Sequence, residues 1–130
     1  MSELSLSTSE PVVLLIDDDQ AVLESLKLLL EANGYRVVTA PDGLRGVAAF
    51  QEHAPAVVVT DILMPEQDGI GALREMRRLR PDAKIVAMSG GGKIDKSDYL
   101  TVAEKLGADV GIEKTDVGKL LDILPDLLRR

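Results

Sequence analysis

The sequence contains no cysteine, which excludes a disulfide framework, a thiolate nucleophile and any cysteine-based zinc site. Histidine is almost as scarce. The single His53 argues against a histidine metal cluster or a Ser-His-Asp triad, and its place late in a helical segment reads as solvated surface. Tryptophan is missing, and the aromatic set is Tyr35, Phe50 and Tyr99. A flavin carrier is disfavoured by so few rings and by the lack of a hydroxyl-rich phosphate loop after the first apolar run. Basic residues fall short of acidic ones, 15 against 22, for a net charge of −7. Nucleic-acid surfaces need clustered Lys and Arg, so direct nucleic-acid binding is not expected. No apolar run approaches the roughly 18–20 residues of a membrane span, and Met1–Pro11 lacks the basic and apolar regions of a leader. The expectation is a soluble, cytoplasmic chain without membrane insertion.

What remains is 130 residues, 45% of them apolar, enough for one domain with a proper core. Residues 1–10 (MSELSLSTSE) are polar and Ser-rich and read as a flexible N-terminal segment, with the folded domain over 11–130. From Pro11 onward, short β-rich runs alternate with helically spaced apolar residues. The runs are Val12–Ile16, Tyr35–Thr39, Ala56–Thr60, Lys84–Met88 and Asp109–Ile112. The helical sets are Val22, Leu26, Leu29; Leu44, Val47, Ala48; and Ile70, Leu73, Met76. Two more are Tyr99, Val102, Ala103, Leu106 and Val117, Leu120, Leu121, Leu124, the last interrupted by a Pro125 expected to bend or end its helix. Asn33-Gly34, Pro55, Pro81-Asp82 and Gly107 stand where helices should stop. Five such units predict a (βα)5 doubly wound parallel five-stranded sheet with helices on both faces.

In that arrangement the crevice lies at the carboxyl ends of the strands. Asp17-Asp18-Asp19 follow the first run, Asp61 the third, Ser89 the fourth and Glu113-Lys114 the fifth. Carboxylates crowded on one edge repel unless a cation holds them. An oxygen-only donor set favours a hard ion, Mg²⁺ first, with Mn²⁺ or Ca²⁺ as alternatives. A hydroxyl and an ammonium beside a metal and a carboxylate form a receptor for a phosphoryl group. Singly, each residue has a plainer reading: Asp19 as a helix cap, Asp61 as turn chemistry, Lys114 as a solvated charge. Together, on four strand ends, they point to phosphoryl transfer involving an aspartate.

These residues resemble the receiver domains of two-component response regulators, in particular single-domain chemotaxis-type receivers. Val13–Asp19 is similar to the family's first strand and acidic pair. Val57–Gly69, with Asp61, Met64-Pro65 and Asp68-Gly69, resembles its phosphoacceptor segment, and Ile85–Gly90 its fourth strand ending in a hydroxyl residue. Gly107-Ala108-Asp109 and Lys114 match its later turn and lysine. The resemblance covers about Val12 to Leu128 and implies a flavodoxin-like receiver fold. It implies that Asp61 accepts a phosphoryl group from a histidine kinase or histidine phosphotransfer protein. It also implies that Asp18, Asp61 and the main-chain carbonyl of Leu63 bind Mg²⁺ directly, with Asp17 acting through water. Lys114 would neutralise a phosphoryl oxygen, Ser89 would hydrogen-bond another, and a downstream protein target, not identifiable from sequence, would read the switch.

Three departures are visible. Thr115 follows Lys114 where the family has proline, so a trans bond is expected, with Thr115 or Asp116 capping the last helix. Gly111 stands three residues before Lys114, where the family has an aromatic toggle, and Gly90-Gly91-Gly92 lengthens the loop after the fourth run. The response is therefore expected to travel through that loop, Gly90 to Lys96. The rival reading is a haloacid-dehalogenase-type aspartyl phosphatase with Asp17 and Asp19 as its Asp-x-Asp. Ala21 and the lack of room for a cap domain weigh against it. The initial Met1 and the absence of a downstream linker suggest a stand-alone protein.

Overall fold

The computed structural model describes residues 10–62, 68–90, 101, 104–105, 107–114 and 116–129. Five strands are present: β1 (Val12–Ile16), β2 (Arg36–Ala40), β3 (Val57–Asp61), β4 (Ile85–Ser89) and β5 (Val110–Glu113). They form one wholly parallel sheet in the order β2-β1-β3-β4-β5. The helices are α1 (Gln20–Ala32), α2 (Gly43–His53), α3 (Asp68–Leu79) and α4 (Val117–Arg129). The helix expected on Tyr99, Val102, Ala103 and Leu106 lies outside the described residues; Thr101, Glu104 and Lys105 beside them are helical. The flexible segment expected at the N-terminus also falls outside them.

Both faces of the sheet are covered, which is why β1, β3 and β4 read as continuous apolar runs. On one face, Val13, Leu15, Val57, Val59, Val86, Met88 and Ile112 pack against α1 and α4. On the other, Leu14, Ile16, Val58 and Ala87 pack against α2 and α3. Among the described residues no helix is long and apolar enough to cross a membrane.

Four strands sit one residue later than the apolar runs suggest, so Asp61, Ser89 and Glu113 are the last residues of their strands rather than the first beyond them. The ladder decides this: Asp61 pairs with Met88 and Ser89 with Glu113, extending the sheet past the last apolar residue. The inward face of α1 is Leu23, Leu26 and Leu30, not Val22, Leu26 and Leu29. In α2, Leu44 is 83% exposed rather than part of the core stripe. The helix turns Gly46 and Phe50 inward instead. A Cβ at Gly46 would lie 2.5 Å from Ile16 Cδ1, so the helix packs so close to β1 that any side chain there would have to displace that of Ile16. Leu44, two positions and about 200° earlier, then points to solvent. Pro125 does not end α4. Leu120, Leu124 and Leu127 are buried on both sides of it and hold the helix to the sheet.

Candidate functional site

The strand order reverses between β1 and β3: β1 leads outward to β2, β3 outward to β4 and β5. The crevice at that switch point opens beside Asp17 and Asp61. Main-chain bonds fix both edges of it. Asp17 N–H donates to Ala40 O at 3.1 Å, Ile62 N–H to Met88 O at 3.0 Å, and Lys114 N–H to Ser89 O at 3.0 Å.

Asp17 is fully buried and Asp61 nearly so, whereas Asp18 is exposed. Asp17 Oδ1 accepts from the Asp19 N–H at 2.9 Å and from Lys114 Nζ at 3.1 Å. The same ammonium donates to Asp61 Oδ2 at 3.0 Å. It also lies 3.0 Å from Asp17 Oδ2, but off a hydrogen-bonding angle, and this oxygen is buried with no hydrogen bond. The Ser89 hydroxyl is likewise buried with no hydrogen-bond partner among the described residues. It lies one residue past Met88, the ladder partner of Asp61.

Burial pushes the Asp17 carboxyl above the ordinary carboxylate value, and the nearby Asp61 charge adds to the rise. The Asp19 amide and Lys114 pull the other way without cancelling it. At Lys114, burial works to lower the pKa, but the two carboxylates outweigh it and hold the ammonium above the usual lysine value. The site therefore keeps a fixed positive charge between two buried acids.

Carboxylate oxygens of Asp17, Asp18 and Asp61 all lie within 4.8 Å of one another. This all-oxygen trio, with Asp17 and Asp61 buried and Asp18 open to water, fits a hard divalent cation. The structure thus brings together Asp17, Asp18, Asp61 and Lys114, with Ser89 on the adjoining strand. Leu63 lies outside the described residues, as do Thr115 with its bond to Lys114 and the loop 91–100. Asp19 caps α1, accepting from Ala21 N and Val22 N at 3.0 and 3.3 Å. Asp116 caps α4 through Lys119 N at 3.1 Å.

Two glycines shape the site in ways the sequence pattern alone leaves unexplained. A Cβ at Gly69 would fall 2.3 Å from Asp61 O and 2.5 Å from Ile62 Cα, so α3 can start this close to β3 only with glycine there. A Cβ at Gly90 would lie 3.2 Å from Lys114 Cδ, so Gly90 makes room for the lysine stem.

A family model of the response regulator receiver domain matches residues 13–124. The chain is 38% identical over 107 residues to the probable transcriptional regulator ycf27 of Guillardia theta, covering 82% of this chain and 40% of that protein. It is 38% identical over 82 residues to the chemotaxis protein CheY of Bacillus subtilis, 62% of this chain and 68% of that one. The chain spans half or less of the length of the ycf27 regulators it matches. Among solved structures, a response regulator receiver domain protein from Clostridium thermocellum superimposes with a TM-score of 0.83 at 31% identity. That match covers 92% of this chain and 95% of the other. The rival phosphatase reading finds no support in these matches. With the family model running from β1 into α4, this chain belongs to the receiver domains of two-component response regulators.

Proposed function

We propose that the chain accepts a phosphoryl group on Asp61 from a histidine kinase or histidine phosphotransfer protein and changes conformation to signal a downstream protein. The observation that carries this reading is Lys114 Nζ, 3.0 Å from Asp61 Oδ2 and 3.1 Å from Asp17 Oδ1 at a nearly buried strand end. An Asp61 oxygen attacks phosphorus, the P–N bond to the donor imidazole breaks, and the electron pair leaves on the imidazole nitrogen, which takes up a proton. Lys114 meets the charge on a phosphoryl oxygen, and the Ser89 hydroxyl, unbonded in this structure, donates to another. Asp18, Asp61 and the Leu63 carbonyl would hold Mg²⁺ directly and Asp17 would hold it through water, with Mn²⁺ as the alternative ion. When bound, the metal neutralises charge on the transferring group. The chain is thus a phosphoacceptor that catalyses its own transfer rather than a turnover enzyme, and it acts in the cytoplasm.

Incubation with acetyl phosphate and Mg²⁺ is expected to add one phosphoryl group by intact mass, and Asp61→Asn to abolish it. Labelling retained in that variant would overturn the assignment.

A further inference from the structure

The Gly107-Ala108-Asp109 turn lies at the opposite end of β5 from Lys114, and the site makes no use of it. Arg77, near the end of α3, reaches it. Its Nε and Nη2 donate to Gly107 O at 2.9 and 2.6 Å, and Nη1 donates to Pro81 O and Ala83 O at 2.7 and 2.6 Å. Nη2 also donates to Asp109 Oδ2 at 3.0 Å. All five guanidinium N–H groups are thereby engaged. Asp109 Oδ2 accepts again from the Ile85 N–H at 2.7 Å, and the Asp109 N–H donates to Ile85 O at 2.8 Å. One guanidinium and one carboxylate thus tie the end of α3 to the start of β4 and to the turn that leads into β5. The turn is fitted to the arginine: Gly107 has φ +127°, and a Cβ there would lie 3.2 Å from Arg77 Cγ.

β5 needs such a tie. It has four residues and stands at the sheet edge with β4 as its one strand neighbour. A slip of one residue would turn its side chains to the other face, and a slip of two would carry Lys114 about 7 Å along the sheet. The two acids that Lys114 bridges stand at the ends of β1 and β3, which are held by neighbours on both sides. The carboxylates and the ammonium therefore depend on different supports.

We propose that Arg77 is a positioning residue that fixes the register of β5 and so holds Lys114 at the two carboxylates. The proposal rests on the reading of Lys114 as the group that meets the phosphoryl charge. It separates two properties of the site. Metal affinity belongs to β1 and β3, whereas speed of phosphoryl uptake also requires β5.

The test compares Arg77→Lys, which keeps a charged stem and removes the fork, with Arg80→Lys. Arg80 lies over the Phe50 ring at 4.6 Å and donates to Pro55 O at 2.7 Å, a similar guanidinium role without a bond to β5. Arg77→Lys is expected to slow uptake from acetyl phosphate at saturating Mg²⁺ by roughly tenfold or more. Its Mg²⁺ affinity should not fall, because the carboxylates stay on β1 and β3 and lose only a competing ammonium. Arg80→Lys should alter neither. Unchanged uptake in Arg77→Lys, a parallel loss of Mg²⁺ affinity, or equal slowing in Arg80→Lys would overturn the proposal. If Arg77→Lys does not fold, Asp109→Asn is read on the same scales. Amide exchange at Lys114, whose N–H reports the ladder to Ser89, keeps this test apart from the site reading. A wild type that takes no label refutes the site. Exchange at Lys114 accelerated by Arg77→Lys but not by Arg80→Lys then still supports the register role, and unchanged exchange refutes it.

Discussion

At the carboxyl edge of the sheet, Asp17 Oδ2 and the Ser89 hydroxyl are buried without a hydrogen bond. At the amino edge, Arg77 uses every N–H it has and Asp109 Oδ2 accepts twice. Both edges belong to the same parallel sheet, so topology does not explain the contrast. Buried polar groups are ordinarily hydrogen-bonded, so the amino edge is closed by its own bonds, whereas the carboxyl edge keeps two buried atoms that make none among the described residues. The amino edge is scaffold. The carboxyl edge carries the carboxylate cluster and the lysine that the proposed phosphoryl transfer would use.

The strongest way to break this comparison is to delete one polar group from each edge. Arg77→Met leaves three backbone carbonyls and a carboxylate short of donors and is expected to cost about 3 kcal/mol or more. Ser89→Ala removes a hydroxyl that has no partner and is expected to leave stability within about 0.5 kcal/mol of wild type or to raise it. Urea midpoints for the two variants decide the matter, and equal losses would mean the edges do not differ.

A smaller effect is expected within α3. Gly69→Ala puts a methyl against the backbone of Asp61 and Ile62, which cannot yield cheaply, and should cost about 1–3 kcal/mol. Gly71→Ala, with nothing within 4 Å, should instead stabilise by about 0.5–1 kcal/mol. Thermal melts of the pair test whether closeness to the acceptor segment, and not helix propensity, governs this helix start.

The smallest effect sharpens the electrostatic side. Burial raises the Asp17 pKa in the folded state. An acid raised on folding binds more protons folded than unfolded, so its ionisation weakens the fold, and the cost fades as pH falls through the folded pKa. In metal-free protein, the stability of wild type relative to Asp17→Asn is therefore expected to rise as pH is lowered from neutrality toward 3.8, the unfolded value. A relative stability that fell over the same range would reverse the assigned sign. Lys114 acts in another window. Its raised pKa keeps its contribution intact below the ordinary lysine value and releases it only at still higher pH.

Local chemistry made most of the fold legible. Short apolar runs on β1, β3 and β4 suit strands buried on both faces, and the breakers between them leave room for crossover helices. The acidic run, Asp61, Ser89 and Lys114 were readable because a parallel sheet brings every strand's carboxyl end to one edge. Less legible were features set by approach distance. Leu44 fits a helical stripe with Val47 and Ala48, yet it lies outside, because α2 turns Gly46 and Phe50 toward the sheet and packs close on Ile16. The strand ends were placed one residue early because hydrogen-bonded pairing continues through polar residues such as Asp61 and Ser89. Arg77 gave no signal at all. It stands in a run with Arg74, Arg78 and Arg80, and nothing in that run tells its half-buried guanidinium from the exposed Arg74 and Arg78.

The sequence by itself thus determined the alternation of strand and helix, the family and the candidate site residues, since each follows from the order of residue types along the chain. Tertiary structure decided which of those residues are short of partners. It made Asp17 a buried acid, Asp18 an exposed one and Asp19 a helix cap, although the three are adjacent and chemically identical. Burial, the position of Lys114 and the register of an edge strand are properties of packing across the chain, and no local pattern of residues encodes them.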